Sequence, residues 1–225
     1  MIGIRVTVPI ACFKKGLARE YLETEPIPPP ATCYGFLLSL VGETERTRHL
    51  GCRIAPVLIQ PEPEERMRKT PRVSVVLRTV WRVKKMPLGS PGNTRPDYQQ
   101  LLSPIELVIW VDSSEEKQGD VNLERRIAVA LDPKQRHRIK RFGALSMGES
   151  SHLVDEVCSF AGDSTRLGRI FLRAERGRMT LPVWVDHVGS ADTRWVTGDL
   201  TAPQPLIAPK DAQLMPRIDT DGCQT

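Results

Sequence analysis

The sequence contains one long, nearly continuous apolar stretch, PPPATCYGFLLSLVG, which runs from Pro28 to Gly42. Prolines suit the first turn of a helix, because their fixed φ matches it and their missing N–H has no partner there. The residues from Ala31 onward are apolar on almost every side, and Gly42 provides a C-terminal stop. We therefore predict a helix over 31–42 that is buried in the core.

A long hairpin is predicted over about 73–112. Residues 73–85 alternate, with an apolar face beginning at Val73 that we expect to pack on the core and a basic face behind it. Residues 105–112 alternate in matching register, and the segment 86–104 between them is rich in turn-forming residues. We call this predicted hairpin the thumb.

The remaining elements suggest a fold class. Residues 2–9 alternate as a half-buried first strand, and 121–131 has the apolar spacing of an amphipathic helix. The order strand, helix, strand, strand, helix, glycine loop, strand is that of an α+β, ferredoxin-like domain of the RRM/RAMP type over 1–160. We expect 161–200 to form a small β-rich extension and 201–225, which is rich in proline, to be a tail.

Charge is distributed unevenly along the 225 residues. The chain has 32 Lys and Arg against 27 Asp and Glu, and 14 of these basic residues lie in two windows without any acid, 66–96 and 133–148. The rest of the chain therefore has 18 basic against 27 acidic residues, a net charge of −9. Such segregation favours a nucleic-acid partner, since cations that neutralise phosphates release counterions. A solvated strand face with protective lysines is the alternative.

Several function classes have no motif to support them. The five cysteines include no C-x-x-C pair, which argues against a disulfide framework or zinc site and indicates a reducing cytoplasm. We expect a soluble, cytoplasmic protein, because neither a secretory signal nor a membrane-spanning stretch is present. Gly143 and Gly148 have Walker A spacing, but Glu149 and Ser150 replace the required Lys and Ser/Thr. We expect no metal or cofactor.

Two positions are nevertheless candidate anion sites. Glycines permit close approach of a phosphate, and Lys140 and Arg141 immediately precede the Gly143 loop. A plain connecting turn explains that loop equally well. The first turn of the predicted helix offers unpaired N–H groups, to which Thr32 adds a hydroxyl, although most helix starts bind nothing.

The stretch from Pro28 to Glu43 resembles the first helix of the CRISPR-associated Cas-five family of RAMP proteins. In that family the helix follows a turn of proline and Ser/Thr and ends near a Gly-Glu pair, as it does here. The resemblance covers about 1–160 and includes the first strand, the basic hairpin and the segment FGALSMGE from Phe142 to Glu149, which stands where the family carries a glycine-rich loop.

This resemblance implies a noncatalytic subunit of a type I Cascade complex. Such a subunit binds the 5′ handle of crRNA, caps the assembly by contacting the large subunit and the first backbone subunit, and meets target DNA through the complex. We take type I-B as the subtype. The family implies handle contacts from Lys14, Lys15, Thr32, Lys140, Arg141, Gly143 and Met147, and thumb contacts from Arg82, Lys84, Lys85 and Arg95. The charge pattern and the loop add Arg78, Arg138, Leu145 and Gly148. We expect Leu145 and Met147 to pack against splayed bases.

Two alternatives remain open at this stage. One branch of the family is a metal-independent endoribonuclease that processes pre-crRNA with Tyr, Lys and His, and His137 or Tyr21 are the candidates here. The chain has no adjacent Lys-His pair, which departs from that branch. The other alternative is a structural ribonucleoprotein subunit outside CRISPR.

Overall fold

The computed structural model describes residues 1–16, 21–81, 94–117 and 121–220. The chain in these ranges folds into a mixed α/β structure with few helices. The strands are β1 Ile2–Val8, β2 Tyr21–Leu22, β3 Arg53–Ile59, β4 Arg72–Trp81, β5 Thr94–Ser103, β6 Ile105–Asp112, β7 Glu156–Phe160, β8 Asp163–Arg173, β9 Met179–Trp184, β10 Arg194–Leu200 and β11 Gln204–Leu206. The α-helices are α1 Pro30–Leu40, α2 Arg66–Lys69 and α3 Leu123–Leu131.

Eight of these strands form one antiparallel sheet. Its order is β7-β1-β6-β3-β8-β10-β9, and β11 pairs with β8. The other three strands form a small sheet of order β2-β5-β4. The helix α1 lies between β1 and β3 in the sequence, and α3 lies between β6 and β7.

The helices α1 and α3 cover one face of the large sheet. Leu37 of α1 and Ile127 of α3 share a buried cluster with Ile4 of β1 and Ile109 of β6. The predicted buried helix, first strand and amphipathic helix are therefore confirmed. A side-chain cap fixes the start of α3, because Asn122 accepts a hydrogen bond from the backbone N–H of Arg125.

The C-terminal residues cover the opposite face of the large sheet. The sequence instead predicts a small extension over 161–200 and a tail over 201–225. Leu206 and Met215 are buried on this face against Val57 of β3 and Trp110 of β6. Ile218 is fully buried as well, in the cluster on the helix side, and its backbone N–H donates to the carbonyl of Cys52. Since β8 pairs directly with β3, the strands after residue 160 belong to the same sheet as the N-terminal strands. The chain up to residue 220 is thus part of the packed structure.

Strand β3 was missed because its sequence lacks the expected alternation. RIAPVLI is buried at six of its seven positions, since helices cover one face of the sheet and the C-terminal residues cover the other. It also contains Pro56, which lacks a backbone N–H and usually argues against a central strand. Pairing with β8 begins only at Val57, one residue after this proline.

The thumb differs from its prediction in partner and orientation. Strand β4 pairs with β5, inside the segment that was predicted to be a loop, while 105–112 pairs with β1 and β3. The hairpin therefore runs over 72–103, with residues 82–93 outside the described ranges. The apolar row of β4, Val73, Val75 and Leu77, is exposed and does not pack on the core. The reason is that β4 is an edge strand, and the opposite face of the small sheet, with Gln99 and Leu101 of β5, is turned inward and buried.

A polar network ties the end of α1 to α3. Arg126 donates to the Glu43 carboxylate, to Nε2 of the fully buried His49 at 3.1 Å and to the carbonyl of Val41 at 3.1 Å. Because an arginine can only donate, Nε2 of His49 is the acceptor, and its Nδ1 donates to Glu116 at 2.8 Å. Glu116 in turn accepts from the backbone N–H of Leu123 at the start of α3.

Glu43 is ionised in this network. Burial by itself would raise the pKa of its carboxyl, but hydrogen bonds from Arg126 and from the backbone N–H groups of Glu45 and Thr44 outweigh it and lower the pKa to about 2. The Gly-Glu pair that follows α1 therefore supplies both a helix stop and a fixed negative charge for Arg126.

Candidate nucleic-acid interface

The second basic window forms an exposed surface next to α3. A 3-10 turn over Arg136–Arg138 follows the helix, and Arg138, Lys140 and Arg141 are all exposed. In the described ranges no carboxylate lies within 4.0 Å of the charged atoms of Lys140 or Arg141. These two cations are therefore exposed and have no carboxylate partner among the described residues, which is what a phosphate contact would require.

The start of this loop is held against the end of α1. Gly42 has φ +66, a left-handed conformation that favours glycine, and the N–H of Glu43 bonds to the carbonyl of Leu38 as in a Schellman cap. A Cβ added at Gly42 would lie 2.3 Å from the carbonyl oxygen of Lys140. Only glycine permits this approach, which places the backbone of Lys140 on the helix end.

The end of the loop is held by a histidine. Nδ1 of His152 accepts from the backbone N–H of Cys12 at 3.2 Å and from that of Glu149 at 3.3 Å. Both partners are donors, so Nδ1 carries no proton and the neutral ring is protonated on Nε2. Gly148 has φ +92, and a Cβ there would lie 2.6 Å from the carbonyl oxygen of Cys12. The loop between 140 and 149 is thus fixed at both ends.

We expect acid to weaken the attachment made by His152. Burial lowers the pKa of its ring below the ordinary value of 6.5, with Arg78 adding to this effect and Glu149 opposing it. A lowered folded-state pKa means that the stabilisation is complete above pH 6.5 and is lost as pH falls through the folded value. Denaturant unfolding between pH 8 and 5 should therefore show a loss of about 1 kcal/mol, the net value of the broken hydrogen bonds.

The control for this pH effect is His152→Asn, whose amide oxygen can accept in place of Nδ1 and does not titrate. Its stability should vary less with pH than that of the wild type over the same range. Identical pH profiles for the two proteins would contradict the assignment.

The thumb and the glycine loop meet at Glu149. Arg78 of β4 forms an ion pair with the Glu149 carboxylate at 3.2 Å and donates to Gln99 of β5, which itself donates to Glu149 at 3.0 Å. The structure therefore brings Arg78 beside the loop, as the prediction of a common RNA surface requires. It also pairs Arg78 with a carboxylate, so this arginine has less free charge for a phosphate than Lys140 or Arg141.

Met147 is placed differently from its prediction. Its side chain is 1% exposed and belongs to the main core, while its backbone N–H bonds to the carbonyl of His152. It therefore anchors the loop and is not available to pack against a base. Leu145 is half-buried and lines an open groove, and Gly143 has φ +81 with nothing within 4 Å of an added Cβ.

Two grooves flank the loop. One of about 640 Å³ has a mixed wall, in which Leu145 and Leu153 are accompanied by the charged residues Arg136, Arg141 and Asp155. The other, of about 410 Å³, lies between α1 and the end of β9, and Thr32 and Gly148 both contribute to its wall. Arg136 was counted in the basic window but not among the predicted site residues, and only the folded chain shows that it shares a groove with Leu145.

The other predicted contacts are spread around this region. Lys14 is exposed, and Lys15 is half-exposed with its ammonium 3.7 Å from the Glu23 carboxylate. The predicted thumb contacts Arg82, Lys84 and Lys85 lie outside the described residues. Arg95 lies within β5, but its side chain is likewise outside what is described.

The candidate nuclease residues lie on different elements. His137 is exposed in the 3-10 turn, whereas the Tyr21 hydroxyl accepts from Gln100 at 3.2 Å in the small sheet. Within residues 1–16, 21–81, 94–117 and 121–220, no three His, Cys, Asp or Glu residues cluster as a metal site. The helices of these ranges also include none long and apolar enough to cross a bilayer.

Solved structures define the class of fold. A chain from a structure described as "CRISPR RNA-guided surveillance complex" superimposes with a TM-score of 0.58 at 13% identity, covering 94% of this chain and 96% of that chain. A chain described as "Crystal structure of Cas protein" gives a TM-score of 0.46 at 13% identity, covering 91% and 95%. No family model matches. The fold is therefore of the kind present in that surveillance complex.

Sequence similarity identifies the family. The chain is 43% identical over 221 residues to "CRISPR-associated protein Cas5" from Myxococcus xanthus (strain DK1622), covering 97% of each sequence. The chain belongs to the CRISPR-associated Cas5 family, and the resemblance based on Pro28–Glu43 and the glycine loop is confirmed.

Proposed function

We propose that this protein is a noncatalytic subunit of a type I Cascade complex that binds the 5′ handle of crRNA. It caps the backbone of the complex, contacts the large subunit and the first backbone subunit, and takes part in RNA-guided recognition of DNA. The observation that carries the proposal is the arrangement of the loop over 140–149. The thumb meets one end of this loop at Glu149, and the other end presents the exposed cations Lys140 and Arg141, which have no carboxylate partner among the described residues.

The strand order supports a finer description of the fold. We propose that β7-β1-β6-β3, with α1 and α3 in the crossovers, is a ferredoxin-like unit, because it has the βαββαβ connectivity of that fold. This unit places the end of α1 and the loop after α3 side by side, which is how Gly42 comes to contact Lys140.

The chemistry of the loop suits a single-stranded RNA. The phosphates of the RNA would bind Lys140 and Arg141, and splayed bases would enter the 640 Å³ groove, where Leu145 offers an apolar contact. This groove replaces the role that was predicted for Met147, which is buried in the core.

The test measures binding of a synthetic RNA with the repeat-derived 5′ segment of the crRNA across a salt series. Neutralising both cations in Lys140→Gln/Arg141→Gln should weaken binding about ten-fold near physiological salt. It should also reduce the slope of log affinity against log salt by about 1.4, since each lost phosphate contact on a single strand contributes about 0.7.

The matched control is Arg176→Gln/Lys210→Gln, which removes the same charge from two exposed positions outside the loop and should leave both quantities nearly unchanged. Equal losses in the two double variants would indicate only general attraction to a polyanion and would contradict the site. Cleavage of precursor RNA in the presence of EDTA would contradict the noncatalytic assignment.

A further inference from the structure

Phe142 is a large apolar side chain held entirely in solvent. Its relative exposure is 105%, and Lys140, Arg141, Gly143 and Ala144 around it are exposed as well. Exposing an aromatic ring to water is unfavourable, because the free energy of burying its surface is not gained. The same chain buries Phe13, Phe36 and Phe171, so its folded structure has room for such rings in the core.

The surroundings of Phe142 indicate what could cover the ring. The window 133–148 contains no acid, and the two residues preceding Phe142 are exposed cations that have no carboxylate partner among the described residues. Gly143, which follows it, has nothing within 4 Å of an added Cβ. Along the chain, Phe142 and Gly143 stand between Arg141 and Ala144, two residues of the wall of the 640 Å³ groove. An aromatic ring beside cations and next to an open groove matches the requirements of a nucleotide, which presents a flat base next to a phosphate.

We propose that Phe142 stacks on one base of the crRNA handle while Lys140 and Arg141 bind the adjacent phosphates. This inference rests on the proposed function and adds to it a specific positioning residue. Because every base has an aromatic face and the phenyl ring makes no hydrogen bonds, the contact fixes the position of a nucleotide without selecting its identity. An aromatic ring in a fixed loop also loses little conformational entropy on binding.

The experiment uses the full chain and the same synthetic handle RNA, with Phe142→Ala, Phe142→Leu and Phe142→Trp. Alanine should weaken binding on the order of ten-fold, which lies within the range measured for loss of one base–aromatic stack. Leucine should bind like alanine because it lacks a flat ring, and tryptophan should bind like the wild type. Val188→Ala removes an equally exposed apolar side chain, 101% exposed, and should have no effect.

A series of RNAs in which each base is replaced in turn by an abasic site identifies the stacked nucleotide. At one position the abasic RNA should bind the wild type more weakly and should show no further loss with Phe142→Ala. The salt slope of Phe142→Ala should match that of the wild type, which separates this contact from those of Lys140 and Arg141.

The outcomes separate the two proposals. If the wild type does not prefer handle RNA over an unrelated RNA of equal length, the proposed function fails. If it does, but Phe142→Ala or Phe142→Leu binds as tightly as the wild type, only the stacking inference fails. Stacking is also overturned if Phe142→Ala weakens binding equally for every abasic RNA, because the ring would then act on the loop and not on one base.

Discussion

Replacing Arg126 with alanine should destabilise the protein by about 3 kcal/mol. The guanidinium has three acceptors, the Glu43 carboxylate, Nε2 of His49 and the Val41 carbonyl, and His49 is fully buried. Without Arg126, these buried acceptors have neither a hydrogen-bond donor nor full contact with water. The resulting loss of stability exceeds the net stabilisation that the hydrogen bonds provide in the wild type. The variant also loses the link between the end of α1 and α3.

Denaturant unfolding of Arg126→Ala against Arg125→Ala provides the measurement. Arg125 is the exposed neighbour on the same helix, so its replacement removes the same charge and should cost less than about 0.5 kcal/mol. The difference in free energy of unfolding between the wild type and Arg126→Ala should also become smaller at low pH. The lowered pKa of Glu43 stabilises the wild type fully above its ordinary value of 4.5, and this stabilisation is lost as pH falls towards about 2. A deficit equal to that of Arg125→Ala would show that the network contributes nothing.

Elements could be predicted where one face is buried and the other is exposed to solvent. β1 and α3 have this pattern, and both were located within two residues at each end. β3 could not be found in this way, because the C-terminal residues cover the face that a sequence pattern assumes to be exposed. β5 was not predicted because its sequence is polar and therefore typical of a loop. Gln99 can be buried there because Arg78 and Glu149, which are distant in sequence, provide its hydrogen-bond partners.

The candidate site divides in the same way. Lys140 and Arg141 could be predicted as exposed cations, because a run of basic residues without acids is visible in the sequence itself. The contacts that fix the loop join residues far apart in the chain, including Cys12 with His152 and Arg78 with Glu149. No spacing rule anticipates these pairs, because each joins segments that only the folded chain brings together. Met147 shows the same limit, since an apolar residue in a glycine loop can face either the core or the solvent.

Replacing Gly42 with alanine should both destabilise the protein and weaken RNA binding, although Gly42 has no charge to offer a phosphate. The left-handed φ of +66 costs an alanine roughly 1 kcal/mol. The added Cβ would also lie 2.3 Å from the carbonyl oxygen of Lys140, so either the helix end or the loop must move, at a further cost of about 2 kcal/mol. Because Lys140 and Arg141 follow directly, that movement displaces the two cations from their common surface.

Gly143→Ala separates the clash from the backbone strain. Gly143 has a similar left-handed φ of +81, but nothing lies within 4 Å of its added Cβ, so its replacement should cost only the roughly 1 kcal/mol of strain. The measurements are denaturant unfolding and handle-RNA affinity at one salt concentration for both variants. Gly42→Ala should lose about 2 kcal/mol more stability than Gly143→Ala. If the two variants lose equal stability, the contact between Gly42 and Lys140 does not hold the loop, and the cationic surface must be positioned by other residues.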